Sequence, residues 1–202
     1  MPTEPEADAA LMLRVKEGDS AAFAELVDRY KQPIMNLVAR MLHDPAEAED
    51  IAQNVFVQVY RFADRYEASA RFTTWLFTIA RNLCLNELRR RSRRPAESLD
   101  ALSAEQPGHT PVQVEDRHSS SPPDNLLRAE LERKVEEAIS QLPENQRLAL
   151  LLCRQDELSY EEMAEVLGCS VSATKSLIHR GRETLKQKLK PYLRTGAWSQ
   201  DK

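Results

Sequence analysis

Glycine is scarce in this chain, with five in 202 residues. They are too few and too scattered to build a phosphate-cradling loop of the GxxxxGK or GxGxxG kind. Cysteine is almost as rare. Cys84, Cys153 and Cys169 are an odd, widely spaced set with no CxxC pair, which excludes a disulfide scaffold and a cysteine-rich zinc site. A reducing cytoplasm is the expected home. The four histidines, His43, His109, His118 and His179, are scattered along the chain. They form no nucleophile–base pair and no metal-ligand cluster, so no catalytic residue, cofactor or metal is assigned. No stretch approaches the ~18 uninterrupted apolar residues of a membrane span, so membrane insertion is not expected. The first ten residues, MPTEPEADAA, are acidic and lack an apolar core, unlike a secretory signal.

Charge is plentiful at 30% of residues, and the net of −4 hides a pattern. Residues 1–67 carry −6, residues 68–94 carry +6, residues 95–124 and 125–167 carry −5 each, and residues 168–202 carry +6. Two acidic-then-basic blocks thus flank an acidic spacer. A uniformly acidic protein avoids nucleic acid, but each local basic block can meet a polyanion. Equally, basic residues collect at helix C-termini, where the helix dipole favours them. Charge alone does not separate the two readings.

Residues 95–124 hold five of the eleven prolines, five serines and no aromatic residue. A segment of that composition cannot offset its own ordering entropy. It reads as an acidic Pro/Ser-rich flexible linker between domains at 8–94 and 125–192. Both flanking parts lack β-like alternation and are rich in Ala, Leu, Glu and Arg. The fold class is therefore all-α, two small helical domains. In the first domain Asp8 is expected to cap a short helix through Lys16, ended by Gly18. Asp19 or Ser20 starts a second helix to about Leu42, whose apolar positions keep the 3.6-residue period and whose Pro33 predicts a kink. Asp44-Pro45-Ala46-Glu47 opens a third, with Asp44 as cap and Glu47 completing a capping box. A fourth helix is expected from about Phe72 to Arg91.

Seven of the twelve aromatics fall between residues 56 and 77. They lead into Arg81, Asn82, Asn86 and the run Arg89-Arg90-Arg91-Ser92-Arg93-Arg94. Aromatic faces stack on unpaired bases and arginines neutralise phosphates, a combination that suits single-stranded or partly melted DNA. The competing reading makes Phe56, Tyr60, Phe62 and Phe77 ordinary core and the arginine run a solvated helix end.

The C-terminal part is sharper. Leu126–Gln141 is amphipathic and is broken by Leu142-Pro143. A helix over Glu144–Gln155 follows. Ser159-Tyr160-Glu161-Glu162 is a capping box, Gly168 sits where a left-handed residue ends a helix, and Ser170 caps a helix from Val171 to about Leu189. Two helices around a glycine turn make a helix-turn-helix. The second helix has an apolar stripe of Val171, Leu177, Ile178, Leu185 and Leu189. Its other face carries Ser172, Lys175, His179, Arg182 and Lys186, bordered by Ser176 and Arg180. A recognition helix in the major groove needs such a face of long donors and short hydroxyls. The bland alternative is a solvated basic face.

At these residues a resemblance emerges. The run from Asp50 to Tyr60 (DIAQNVFVQVY) and that from Phe72 to Asn82 (FTTWLFTIARN) are similar to region 2 of bacterial sigma factors. The run Leu142–Arg147 (LPENQR) and the run Leu158–Ala164 (LSYEEMA) resemble region 4. Only these two regions are found, in the layout of the extracytoplasmic-function (ECF) class, covering residues ~10–94 and ~125–190.

The resemblance implies a subunit that binds core RNA polymerase, at its largest-subunit clamp and its flap, and directs it to promoters of a stress or envelope-signal regulon. Core-binding candidates are Asp50, Gln53, Asn54, Phe56 and Gln58, an acidic and amide face beside an aromatic anchor. Candidates for opening and reading the −10 element are Phe72, Trp75, Arg81, Asn82, Asn86, Arg89 and Arg90, with Trp75 equally readable as core. Asn82 and Asn86 match positions near the loop that captures a flipped base. The helix-turn-helix would read the −35 element through Ser172, Lys175, Ser176, His179, Arg180 and Arg182. An anti-sigma factor is an implied partner, and the chain is expected to act as a monomer within the holoenzyme. An acidic linker that threads the polymerase near the RNA path would mimic nucleic acid. Trp198, in an unassigned tail, fits a loose end or a regulator contact. A stand-alone helix-turn-helix regulator would leave the 50–82 motif unexplained, an enzyme lacks its catalytic groups, and a pure adaptor needs no basic helix face.

Overall fold

A computed structural model describes residues 4–67, 71–93, 122–155 and 158–195. Among the described residues there are eight α-helices, one 3-10 turn and no strand. The all-helical expectation holds. The linker body, the tail with Trp198, and His109 and His118 lie outside the described residues.

Helix α1 (Glu4–Lys16) begins earlier than Asp8. Asp8 is not a cap. It is only 2% exposed, and its carboxylate accepts hydrogen bonds from Tyr30 and Arg29 of the next helix. A carboxylate so well supplied with donors is more stable bonded inside than capping outside. Helix α2 (Ser20–Leu42) starts where expected, with Asp19 accepting from the amides of Ala21 and Ala22 at 2.9 and 3.1 Å. Those amides and Arg14 hold the Asp19 carboxyl below its ordinary pKa. Pro33 lies inside α2. Leu26, Tyr30, Ile34, Leu37, Val38 and Met41 form its buried face.

Helix α3 (Pro45–Arg61) is capped by Asp44, whose side chain accepts from the Glu47 amide at 3.1 Å. The second half of the expected box is replaced. Glu47 turns instead to Arg90 and Arg91, near the end of helix α4 (Phe72–Arg93). Two guanidinium groups outcompete one neutral amide for a carboxylate. The 3-10 turn Ala63–Arg65 follows α3. Phe72, the first residue of α4, sits among Tyr30, Tyr66 and Trp75 at ring distances of 5.5, 6.3 and 6.4 Å. Tilted aromatic contacts of this kind fix the start of α4 against α2.

The C-terminal helices are α5 (Pro122–Ser140), α6 (Glu144–Leu152), α7 (Tyr160–Leu167) and α8 (Val171–Thr195). Helix α5 therefore takes the last residues assigned to the linker, and α8 outruns Leu189. The capping box at α7 is complete: Ser159 Oγ accepts from the Glu162 amide at 3.2 Å, and the Glu162 carboxylate accepts from the Ser159 amide at 2.7 Å. Gly168 closes α7 at φ 65°, a left-handed conformation that costs a glycine little. Gly181 lets α8 approach α6, since a Cβ there would lie 2.8 Å from Leu150 Cδ1.

The two halves share one hydrophobic core, in which Leu148, Leu152 and Met163 join the residues of α1–α4. Helix α7 lies along α4 and α6 lies along α2. Polar contacts edge this seam. Arg147 donates to the Met41 carbonyl at 2.9 Å, Arg40 pairs with Glu136 at 3.3 Å, and Arg71 pairs with Glu162 at 2.9 Å. No described helix is long and apolar enough to cross a membrane.

Candidate nucleic-acid interface

Helix α8 is amphipathic, and its position is set from the inside. Ile178 is 3% exposed and Thr174 is fully buried, with the Thr174 hydroxyl donating to the Ser170 carbonyl at 3.2 Å. Burial of that side turns Ser172, Lys175, Ser176, His179, Arg180 and Arg182 outward, and all six are exposed. Val171, Ser172, Lys175, Ser176, His179 and Arg180 line one open concave surface. Arg182 stands apart from it, reaching back to Cys153 Sγ at 3.3 Å. Ser176 spends its hydroxyl proton on the Ser172 carbonyl at 2.9 Å, which leaves its oxygen lone pairs facing outward. The surface thus offers two cations, one imidazole and two hydroxyls. The cations complement phosphates and the acceptor edges of bases, while the Ser176 oxygen, its proton spent, suits a base donor.

On α4 the expected residues divide. Asn82, Asn86 and Arg89 are exposed, and with half-buried Trp75 they fall on one helical stripe at spacings of seven, four and three residues. Phe72 is a correction. At 1% exposed it belongs to the core, because the ring fills the space between Tyr30 and Tyr66, and it offers no face to a base. Trp75 packs on Tyr66 at 5.4 Å while remaining partly open. Arg90 is a second correction. Its guanidinium is held by Glu87 and Glu47, all at 2.6 Å, and the Glu87 hydrogen bond raises its pKa above the ordinary arginine value. It ties α4 to α3 rather than presenting a free cation. Arg81 is half-buried at the seam, with its guanidinium nitrogens 3.6 Å from where a Cβ of Gly168 would lie.

On α3, Asp50 and Gln53 are exposed while Asn54 and Gln58 are half-buried. Phe56 is 8% exposed and packs inward, so it is no surface anchor. The exposed large apolar groups on this helix are Val57 at 59% and Tyr60 at 54%. The Tyr60 ring packs at a tilt against Phe23, with centroids 5.1 Å apart. Asp50, Gln53, Asn54, Val57 and Tyr60 recur at +3, +1, +3 and +3, one continuous stripe. Sequence reasoning missed Val57 and Tyr60, although that spacing from Asp50 marks them.

Comparisons with known proteins match both helical parts to one family. Residues 26–94 match the family model for Sigma-70 region 2, and residues 132–185 match that for Sigma-70, region 4. The chain is 40% identical over 192 residues to the RNA polymerase sigma-H factor of Pseudomonas aeruginosa, covering 94% of this chain and 97% of that protein. It is 38% identical to the ECF RNA polymerase sigma factor SigW of Bacillus subtilis, covering 88% and 94%. Its fold is like that of the sigma factor RpoE of Bartonella quintana, solved in complex with the anti-sigma factor NepR. That match has a TM-score of 0.66 at 24% identity and covers 83% of this chain and 96% of the other. The chain belongs to the ECF RNA polymerase sigma factors, subunits that direct promoter-specific transcription initiation with RNA polymerase.

Proposed function

We propose that the two exposed polar stripes divide promoter reading between them. Helix α8 enters the major groove of the −35 duplex with Ser172, Lys175, Ser176, His179 and Arg180. Helix α4 meets the melted −10 strand with Trp75, Asn82, Asn86 and Arg89. The α3 stripe of Asp50, Gln53, Asn54, Val57 and Tyr60 docks on the largest-subunit clamp of core polymerase, and the domain of 125–192 meets the flap. The observation that carries this reading is the convergence of five polar side chains of α8 on one open face. A groove-reading helix needs that face, and no described carboxylate neutralises its cations. Duplex contact positions the complex, and base capture then holds the opened strand. Unstacking costs a few kcal/mol, which phosphate contacts and stacking offset.

The chain supplies binding and strand capture, and the polymerase supplies catalysis. It works in the cytoplasm, where promoter DNA and polymerase are, as one copy per holoenzyme. Its regulon answers a stress or envelope signal, and an anti-sigma factor restrains it. The likeness of the fold to a sigma factor held by an anti-sigma factor supports that partner.

Reconstitution with core polymerase, followed by sequencing of transcript starts on a randomised promoter library, tests the reading. Lys175→Ala with Arg180→Ala should weaken −35 dependence while leaving −10 preference intact. Asn82→Ala should shift −10 preference by ~1–3 kcal/mol if its amide reads a base edge. Promoter selection that ignores all three changes would defeat the assignment.

A further inference from the structure

Tyr160 is a large aromatic left 41% exposed. Tyr30, Tyr66 and Tyr192 are buried, and the other exposed tyrosine, Tyr60, packs against Phe23. The face of the Tyr160 ring meets the ammonium of Lys175 instead, 5.2 Å from the ring centroid. Lys175 has no carboxylate partner among the described residues, whereas Lys186 on the same helix pairs with Glu183 at 3.5 Å. The two residues lie on the two helices of the helix-turn-helix, and each is fixed at its base. Tyr160 is the first residue of α7, locked by the reciprocal Ser159–Glu162 cap. Lys175 lies in the second turn of α8, just past the buried Thr174.

A lysine is a poor reader on its own. Its ammonium is a point charge on a flexible four-carbon stem, and it lacks the planar fork by which arginine selects a geometry. Discrimination by lysine therefore depends on where something else holds the ammonium. An aromatic face does this without neutralising the charge, because a ring quadrupole attracts a cation and leaves its outward N–H groups free.

We propose that Tyr160 is a positioning residue for promoter specificity. Its ring holds the Lys175 ammonium at one end of the α8 face and so selects the −35 base pair that Lys175 prefers, without Tyr160 itself touching a base. This rests on the reading that α8 enters the −35 groove.

The test uses the full chain assembled with core polymerase, transcribing a promoter library randomised across the −35 element. Wild type, Tyr160→Phe, Tyr160→Leu, Lys175→Ala and the Tyr160→Leu/Lys175→Ala double variant are compared. Tyr160→Phe keeps the ring and should keep the base preference. Tyr160→Leu keeps apolar bulk without the quadrupole. It should flatten preference about 2- to 5-fold at the same single position that Lys175→Ala flattens. The double variant should then lose no more at that position than Lys175→Ala alone. A uniform fall in transcription with unchanged base preference in Tyr160→Leu would overturn the inference, and so would a Tyr160→Phe variant as altered as Tyr160→Leu, since the hydroxyl would then be the active part. If Lys175→Ala, and Arg180→Ala run beside it, both leave every −35 position unchanged, the reading of α8 fails first, and this inference falls with it.

Discussion

Arg147 of α6 donates through Nη1 to the carbonyl of Met41, 2.9 Å away in the last turn of α2. The same guanidinium donates through Nη2 to the carbonyls of Ser140 and Leu142, at and beyond the end of α5. One cation thus answers the carbonyl ends of two helices, where the helix dipole is negative. Burial lowers the arginine pKa, yet guanidinium stays charged in proteins. Arg147→Ala removes three charge-assisted bonds and strands buried carbonyls, so a loss of about 3 kcal/mol is expected in chemical denaturation. Arg147→Lys should recover only part of it, since one ammonium cannot reach in three directions as the fork does. A loss below about 1 kcal/mol in Arg147→Ala would mean that water satisfies the carbonyls.

Gly181 illustrates two effects of opposite sign. Alanine in a helix interior is favoured over glycine by ~0.5–1 kcal/mol. Against that, its Cβ would stand 2.8 Å from Leu150 Cδ1 and 3.0 Å from Leu150 Cγ. Overpacking costs ~1–3 kcal/mol, so the clash wins and Gly181→Ala should destabilise by about 1 kcal/mol. Leu150→Ala removes the obstructing atoms. In the double variant the two costs should fall short of additivity by about 1 kcal/mol or more. Strict additivity would show that α6 and α8 simply move apart.

Neighbouring arginines on α4 should separate cleanly by assay. Arg89 is exposed, while Arg90 is held by Glu87 and Glu47. Arg89→Ala should leave the melting temperature alone and reduce the salt dependence of promoter binding by about one counterion. Arg90→Ala should lower the melting temperature and leave the salt slope unchanged. The reverse outcome would reassign the end of α4.

Much of this was legible in the sequence, and the reasons are local. Asp19, Asp44, Ser159 and Gly168 mark helix ends because a cap needs only its own few residues. The outward face of α8 follows from a 3.6-residue period. What escaped depends on contacts distant in the chain. Phe72 looks like a surface aromatic, and Phe56 like either an anchor or core, until Tyr30 and the α2 face are placed beside them. Arg90 looks like one more member of a basic run until Glu47, 43 residues away, arrives next to it. Asp8 looks like a cap until Tyr30 supplies a better donor. Composition predicts two separate halves, whereas the seam at Arg147 and Met41 joins residues 106 apart, a pairing that no local pattern encodes.

Cys84 gives the pH dependence its sign. It is fully buried in α4, and burial pushes its thiol from 9.0 up to about 12. A folded-state pKa above the unfolded one means that the unfolded chain loses the proton first. The associated stability is intact below about pH 9 and drains away as pH climbs toward 12. Between pH 8 and pH 11 the loss from this one group should be roughly 2–3 kcal/mol. Buried tyrosines such as Tyr66, whose pKa is also raised by burial, contribute in the same direction, so wild type alone cannot isolate the thiol. Cys84→Ala can. Denaturation at both pH values should show a smaller alkaline loss in the variant than in wild type, by that same amount. Equal losses in the two proteins would mean that water or a shifted helix reaches Cys84 once the base is added, and that the α4 core is looser than its packing implies.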